Sequence, residues 1–255
     1  MRKEERKTKI IADLHTHTLA SGHAYSTLKE NLDQAREAGL LYYGVSDHTP
    51  GMRGTTIPGY FYNLKVLGGT IGGVRLLKGA EANILDDKGT IDVPERAIDS
   101  LDYVIASLHD IVVEDMGIAR NTAAVIGAME NPYVKIIGHP DDSRYPLNYG
   151  ELALAAKRTG TALELNNSSL SPNTSRKGGW QNATQMLKAC KAIGARIMVG
   201  SDSHVFYDVG NFIHAQELIE ICEFPQELVI NANAVTFEEF MLEKKPLSAQ
   251  SEIAV

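Results

Sequence analysis

Histidine and carboxylate side chains recur where short hydrophobic runs of this sequence end. The chain has eight histidines, and seven lie in or just after such runs, together with one glutamate and one aspartate. Imidazole nitrogens and carboxylate oxygens are ligands of divalent metals such as zinc. The nine candidate ligands, in chain order, are His15, His17, His23, His48, Glu81, His109, His139, Asp202 and His204.

The spacing of these residues predicts a shared metal centre. His15 and His17 are two positions apart, as are Asp202 and His204, so each pair projects from the same side of an extended strand. Glu81 has two oxygens and can bridge two cations, which a neutral imidazole cannot do. Nine ligands are too many for two tetrahedral ions, whereas three ions would take three each and keep open positions. Open positions are typical of catalytic metal sites rather than structural ones.

The hydrophobic runs predict strands of a parallel sheet, since most are continuous rather than alternating. They begin about 25–35 residues apart, the length of a βαβ unit. A chain of 255 residues suits a single α/β barrel, whose chemistry gathers at the carboxyl ends of its strands. The predicted strands are Ile10–His15, Tyr42–Asp47, Val74–Glu81, Tyr103–His109, Lys135–His139, Ala162–Asn166 and Arg196–Asp202.

Helical periodicity fills the segments between these runs. A Thr27-x-x-Glu30 capping box begins one helix, and an amphipathic pattern from Trp180 to Ala192 predicts another that is broken at Gly194. Segments 49–73 and 166–179 are rich in glycine, proline or asparagine and follow strand ends. Both are therefore predicted to form loops over the mouth of the barrel.

Composition restricts the kinds of partner. A formal charge of −7 argues against a broad grip on nucleic acid, which needs many Lys and Arg contacts to phosphate. No apolar run approaches the ~20 residues of a membrane span, and the charged N-terminus does not resemble a signal peptide. We expect a cytoplasmic protein with tails at residues 1–9 and 246–255 around a single domain at 10–245. Cys190 and Cys222 are expected to be small buried apolar residues.

The motifs resemble those of a known family of metallohydrolases. Asp13-Leu14-His15-Thr16-His17, Ser46-Asp47-His48, Glu81-Ala82-Asn83 and Ser201-Asp202-Ser203-His204, with His109 and His139-Pro140, are similar to the PHP (polymerase and histidinol phosphatase) family. The segments around His23 and Asn166-Asn167-Ser168-Ser169, with Arg176-Lys177-Gly178, resemble its YcdX-like phosphatase branch. The similarity runs from about residue 10 to about residue 240.

This resemblance implies a distorted seven-stranded (β/α) barrel, similar to a TIM barrel, that holds three divalent ions. By the family pattern, His15, His17, Glu81 and Asp202 hold the first ion, while Glu81, His109 and His139 hold the second. His23, His48 and His204 hold the third. Zinc is the expected metal, with manganese or iron as alternatives.

The predicted activity is hydrolysis of small phosphomonoesters by a metal-bound hydroxide, with Glu81, Asp202 and His204 as catalytic residues. Arg176, Lys177 and Asn167 are the predicted substrate-binding residues, and Arg53 is an alternative phosphate anchor. Asp13 and Asp47 precede ligands and could orient imidazoles. The partner is a small phosphorylated substrate, with neither long nucleic acid nor membrane, and a homo-oligomer is left open.

Other activities also fit the pattern. Within the hydrolases, they are histidinol-phosphate phosphatase, a nuclease or phosphoesterase for short nucleotides, and an amidohydrolase barrel, which also opens with His-x-His. A non-catalytic barrel that binds metal for regulation is the alternative of a different class. One barrel fold hosts many chemistries, so the fold alone does not choose among these.

Overall fold

The computed structural model describes residues 8–243, which form a nearly closed barrel of parallel strands. Seven strands pair in the order β1-β2-β4-β5-β6-β7-β8, and β3 pairs antiparallel with β4. The strands are β1 (Ala12–Asp13), β2 (Tyr42–Val45), β3 (Thr70–Ile71), β4 (Val74–Asn83), β5 (Tyr103–Ser107), β6 (Val134–Ile137), β7 (Ala162–Asn166) and β8 (Ile197–Gly200). The predicted seven-stranded α/β barrel is confirmed.

α-Helices connect most of the parallel strands, whereas β4 and β5 are joined by a segment with one short 3-10 helix, and two α-helices follow the last strand. The α-helices are α1 (Leu28–Glu37), α2 (Pro58–Asn63), α3 (Ile118–Glu130), α4 (Tyr149–Thr159), α5 (Asn167–Leu170), α6 (Gly179–Ile193), α7 (Ile213–Ile221) and α8 (Ala234–Leu242). The predicted capping box is present, because Thr27 and Glu30 each accept a hydrogen bond from the other's backbone N–H. The predicted break at Gly194 is also present, where the backbone is left-handed with φ 75°.

The two segments predicted as loops contain more regular structure than expected. Segment 49–73 includes α2, which has a proline at its first position, and the short strand β3. Segment 166–179 includes the single turn α5, whose N-cap is the side chain of Asn166. These elements are short and lack a repeating apolar pattern, so periodicity could not reveal them.

The interior of the barrel is filled by large side chains opposite glycines. Tyr103 is 2% exposed, and its hydroxyl donates a hydrogen bond to the carbonyl oxygen of Leu14. A Cβ atom on Gly79 would lie 2.2 Å from Cζ of Tyr103, and one on Gly44 would lie 2.2 Å from its hydroxyl oxygen. The ring therefore occupies space that only glycines on β2 and β4 leave free.

The barrel closes between its first and last strands through a side chain. Asn231 is fully buried, and its amide nitrogen donates to the carbonyl oxygens of Ala12 on β1 and Val199 on β8. Its side-chain oxygen accepts the backbone N–H of Val199. Direct pairing resumes beyond the strands, where the N–H of His17 donates to the carbonyl oxygen of Ser203. Asn231 therefore joins two strands that do not form a continuous ladder.

Some sequence predictions fall outside the described residues. The tail predicted at 1–9 is described only at residues 8 and 9, and the tail predicted at 246–255 is not described, so the domain boundaries stay predictions. Between residues 8 and 243, none of the helices combines the length and the hydropathy that crossing a bilayer requires. Cys190 is buried as expected, and Cys222 is partly buried.

We expect Gly79→Ala to destabilise the protein by about 1–3 kcal/mol, because the added methyl group overlaps the ring of Tyr103 in a close-packed core. Urea unfolding followed by circular dichroism measures this free energy. Gly68→Ala is the matched control, because a Cβ atom there meets nothing within 4 Å. Equal stability of the two variants would contradict the assigned role of Gly79.

Candidate metal centre

The carboxyl ends of the barrel strands bring the predicted ligands to one place. Parallel strands all end at the same rim, so residues that follow them in sequence meet there. His15 and His17 follow β1, His48 follows β2, Glu81 lies near the end of β4, His109 follows β5, His139 follows β6, and Asp202 and His204 follow β8. His23 lies in the segment between β1 and α1 and approaches His204.

Glu81 lies at the centre of this cluster. It is 1% exposed, and ring nitrogens of five histidines approach its two oxygens. His48, His15 and His17 lie 2.9, 3.3 and 3.4 Å from Oε2, whereas His139 and His109 lie 3.0 and 3.2 Å from Oε1. The two oxygens therefore face two different sets of imidazoles, which is the arrangement that a bridging carboxylate requires.

Several buried polar atoms of the cluster lack a hydrogen bond within the described chain. They are Nε2 of His15, Nε2 of His17, Nδ1 of His48 and Oε2 of Glu81. Each of the three nitrogens lies within 3.4 Å of Oε2 of Glu81, yet none makes a hydrogen bond of good geometry with it. Buried polar atoms normally have partners. A divalent cation satisfies such atoms, so the residues fit a metal centre.

Four overlapping groups of donors lie close enough to share an ion, with their donor atoms within 4.8 Å of one another. The groups are His15–His17–Asp202, His15–Glu81–His139, His48–Glu81–His109 and His17–His48–His204. All four contain a member of the predicted first or second site, and only His15–His17–Asp202 falls within a single predicted site. His48 belongs to two groups, since it lies beside Glu81 as well as beside His17 and His204.

His23 occupies the outer edge of the cluster and is exposed. Its Nε2 lies 3.0 Å from Nε2 of His204, and the ring centroids of His23 and His48 are 5.1 Å apart. Burial, together with the neighbouring His204 and His48, lowers the pKa of His23 and favours the neutral ring. A neutral imidazole is the form that binds a metal.

The charged groups of the cluster shift the pKa values of neighbouring histidines in opposite directions. Burial opposes a charge on His15, but the carboxylates of Glu164, Glu81 and Asp202 hold its pKa well above the ordinary value. For His17, burial and the nearby imidazoles of His204 and His48 lower the pKa well below the ordinary value. Burial also opposes the charge on Glu81, yet the surrounding imidazoles hold its pKa well below the usual range.

A carboxylate that the sequence analysis missed holds two of these ligands. Glu164, on β7, is 1% exposed. Its Oε1 lies 2.8 Å from Nδ1 of His15, and its Oε2 accepts the backbone N–H of His139 at 2.7 Å. A carboxylate behind a histidine fixes the ring orientation and leaves Nε2 free for a metal. The sequence signal that could have revealed Glu164 is an acidic residue inside the otherwise apolar run Ala162–Leu165.

Glycine at the end of β8 makes room for Glu164. A Cβ atom on Gly200 would lie 2.1 Å from Oε1 of Glu164 and 3.1 Å from Cβ of His15. Next to it, Asp202 has a left-handed backbone with φ 54°, and His139 has φ 29°. Residues other than glycine rarely adopt such angles, and those that do are concentrated at functional sites. The rim is therefore shaped to aim side chains inward.

Other buried polar groups orient the imidazoles. The side-chain oxygen of Asn83 lies 2.7 Å from Nδ1 of His109, and the hydroxyl of Ser21 lies 3.1 Å from Nδ1 of His17. Ser21 in turn donates to Asp47, so Asp47 acts on His17 through this hydroxyl. Asp13 instead accepts the backbone N–H groups of Ser201 and Gly210, at 3.1 and 2.9 Å. Asp13 therefore holds the backbone rather than an imidazole.

The predicted substrate-binding residues differ in their surroundings. Arg176 approaches the centre, with Nη1 2.8 Å from Oδ2 of Asp202, and its side chain is 15% exposed. Burial opposes its charge, but Asp202 and Asp141 raise its pKa. Lys177 and Arg53 are exposed. The side-chain oxygen of Asn167 accepts the backbone N–H groups of residues 214 and 215, so it caps α7.

Asp141 is a second buried carboxylate that the sequence analysis did not single out. It lies two residues after His139 and is fully buried. Burial raises its pKa to about 7, while Arg176 and the hydroxyl of Ser169 act in the opposite direction. Arg176 thus lies in the field of two carboxylates, Asp202 and Asp141, and retains its positive charge at the rim.

Known proteins are similar to this chain in sequence. The family model for the PHP domain matches residues 13–168. A protein of Clostridium novyi named "Probable phosphatase" is 47% identical over 225 residues, which are 88% of this chain and 91% of the relative. Another from Thermoanaerobacter sp. is 46% identical over 238 residues, 93% of this chain and 96% of the relative.

A solved structure shows the same architecture. The histidinol phosphate phosphatase of Lactococcus lactis, crystallised with zinc, L-histidinol and phosphate, superposes with a TM-score of 0.59. It covers 84% of this chain and 94% of its own, at 22% sequence identity. At 22% identity, the match supports the fold and does not assign an activity.

The fold and the site define a metal-dependent phosphatase barrel, since the donors converge at the strand ends and the matched relatives are named as phosphatases. The chain belongs to the PHP domain family. The resemblance found in the sequence is therefore confirmed, and the amidohydrolase and non-catalytic alternatives are set aside.

We expect Glu164→Gln to weaken metal binding by ~10–100-fold, the range found when groups behind metal ligands are changed. An amide has one accepting oxygen and cannot accept from both the ring of His15 and the N–H of His139. Competition with a fluorescent chelator measures the affinity. The control is Glu220→Gln, an exposed site on α7. Equal affinity of the two variants would remove Glu164 from this role.

Proposed function

We propose that this phosphatase hydrolyses small phosphomonoesters at a centre of three divalent ions, with zinc as the resident metal and manganese or iron as substitutes. The observation that carries the proposal is the approach of five imidazoles to the buried carboxylate of Glu81, with donor atoms that lack hydrogen bonds. Zinc is favoured because imidazole and carboxylate together suit it, and because the histidinol phosphate phosphatase of similar fold was crystallised with it.

The ligands divide among the ions as the family pattern implies. His15, His17 and Asp202 form one donor group, which Glu81 joins through Oε2. His109 and His139 both face the other oxygen of Glu81. His48 and His204 share a donor group, and His23 adds its Nε2 beside His204. The two oxygens of Glu81 face different imidazoles, which supports a pair of ions that share this carboxylate. His23 is exposed, which supports a third ion nearer to solvent.

When bound, divalent ions lower the pKa of water so that it becomes a nucleophile at neutral pH, and they neutralise phosphoryl oxygens. The protein supplies orientation. Glu164 holds the ring of His15 through Nδ1, which keeps Nε2 directed at Glu81 and Asp202. The carboxylates of Glu164, Glu81 and Asp202 also raise the pKa of His15.

Arg176 supplies the protein's positive charge at the rim. Its guanidinium pairs with Asp202, and Nη1 also lies 3.4 Å from the side-chain oxygens of Asn166 and Ser169. The planar guanidinium is suited to phosphate, which it can bind through two parallel hydrogen bonds. In this proposal, Arg176 binds the phosphate of the substrate and orients it toward the ligands. Lys177 is exposed and is the weaker candidate.

The direct test combines metal analysis with a phosphomonoester panel that includes histidinol phosphate and short nucleotides. We expect about three ions per chain and turnover that is lost after chelation and restored by added metal. Glu81→Gln should lower both the metal content and kcat, because an amide bridges two cations poorly. A Glu81→Gln variant with full metal content and full activity would overturn the bridging role, and wild-type turnover that survives complete metal removal would overturn the metal centre.

We expect Arg176→Ala to lower kcat/KM for phosphomonoesters by ~100-fold, the scale on which loss of one fixed donor to a developing anion is felt. Steady-state kinetics on metal-loaded enzyme measures it. The comparison is Lys177→Ala, the adjacent exposed cation, which should have a much smaller effect. If Lys177→Ala has the larger effect, the phosphate is anchored by the lysine instead. Circular dichroism spectra of both variants check that the fold is kept.

A further inference from the structure

A broad, open cavity of about 620 Å³ lies at the surface beside Arg176, which contacts Asp202 of the candidate metal centre. It lies between the segment that follows β7 and the first turns of α6 and α7, where Ser169, Trp180 and His214 are among its lining residues. Cavities of 300–1,000 Å³ are typical of small-molecule sites. None of the roles described so far requires this space.

Two lining residues connect the cavity to the proposed ligands. Arg176 lines the cavity and also contacts Asp202 through Nη1 at 2.8 Å. Ser169 lines it too, and its hydroxyl lies 3.4 Å from the same nitrogen. A phosphate held by Arg176 would therefore have its leaving group beside this cavity.

The lining has the composition of a site for a planar organic group. Leu170, Pro172 and Trp180 offer apolar surface, and Gln181, Thr174 and His214 offer hydrogen-bonding groups, as does the backbone of the loop. Among the described residues that line the cavity there is no acid, and the only arginine or lysine is Arg176. One fixed positive charge matches one phosphate, and the rest of the lining suits an uncharged ring with polar edges.

Trp180 is held with its ring available to a ligand. The indole N–H donates to the carbonyl oxygen of Leu170 at 2.8 Å, which fixes the ring relative to the loop. The residue is nevertheless 36% exposed, although it is a large aromatic side chain at the start of α6. A fixed and accessible indole offers a flat surface for stacking at little entropic cost.

His214 is positioned by the residue that was predicted to bind substrate. The side-chain oxygen of Asn167 accepts the backbone N–H of His214 at 3.0 Å and that of Ala215 at 3.1 Å. This cap sets the start of α7 against the loop, and it places His214 in the cavity lining. Within residues 8–243 no hydrogen bond is formed by its ring, so its nitrogens are available to a ligand. Asn167 thus serves the cavity indirectly.

We propose that this cavity binds the leaving group of the substrate, and that the preferred substrates are phosphomonoesters of heteroaromatic, nucleoside-like alcohols. The inference rests on the proposed phosphomonoesterase function and adds its substrate class. Trp180 stacks on the ring, Gln181 and His214 bind its polar edges, and Arg176 holds the phosphate between the cavity and the ligands. Trp180 is thereby a specificity-determining residue.

The kinetic test compares adenosine 5′-monophosphate with glycerol 3-phosphate, which has no ring, on metal-loaded enzyme. Wild type should prefer the nucleotide in kcat/KM, and Trp180→Ala should reduce that preference by ~10-fold, because stacking of one base on an aromatic side chain is worth about this much. Trp180→Phe should retain most of the preference, since it keeps a ring. Tyr207→Ala is the matched control, an aromatic residue 64% exposed on a segment outside the cavity.

A binding test is independent of turnover. The chain contains one tryptophan, so its fluorescence reports Trp180 alone. Adenosine added to metal-loaded enzyme should change this fluorescence in a saturable way, whereas glycerol should not. A His214→Ala variant should weaken the adenosine response and keep the emission of Trp180, which shows that the fold around the indole is intact.

The outcomes separate the two proposals. If phosphomonoesters are hydrolysed but wild type shows no preference for the nucleotide, or if Trp180→Ala lowers both substrates equally, the leaving-group site is wrong and the proposed function stands. If Tyr207→Ala removes the preference instead, the ring binds beside Tyr207 and outside this cavity. If no phosphomonoester is hydrolysed, the proposed function fails. Absence of any fluorescence response to millimolar adenosine overturns the site in every case.

Discussion

The crowding of imidazoles around one buried carboxylate is the constraint on which this structure depends. Five ring nitrogens approach the oxygens of Glu81 within 3.4 Å, and several of these atoms have no hydrogen-bond partner in the described chain. Such an arrangement is costly to bury, because unpaired polar groups lose the solvation they have in water. Cations bound by these donor atoms would offset this cost. The strand ends, the glycines and the left-handed backbone at His139 and Asp202 position the donors for this.

The histidines of the candidate metal centre are held in place by side chains that contact their other ring nitrogens. Glu164 fixes His15 and the backbone of His139 together, and these two residues follow different strands but share a donor group with Glu81. Gly200 leaves the space that lets this carboxylate reach them. Asn83 and Ser21 orient His109 and His17 in the same manner. His15, His109 and His17 are thus each held through Nδ1, which leaves Nε2 to face the centre.

Much of this could be predicted from the sequence, because strand periodicity and strand-end chemistry are local signals. Continuous apolar runs predicted the strands, and the residues that follow them lie together at one rim of the barrel. Glu164 was missed since one acid inside an apolar run does not reveal what it faces. Asn231 was missed because its role depends on a gap between β1 and β8, and Ala12, whose carbonyl it binds, is 219 positions away. The ion pair of Arg176 with Asp202 depends on the path of a loop, which periodicity does not describe.

The junction of β1 and β8, which Asn231 bridges, has a consequence for metal binding. His15 and His17 follow β1 on one side of this junction, and Asp202 and His204 follow β8 on the other. In the proposed centre, a cation shared between them would cross-link the two ends of the sheet. Metal binding and closure of the barrel would therefore be thermodynamically linked. The metal-loaded form should resist opening along this line, and a chelator should act on the tertiary architecture as well as on catalysis.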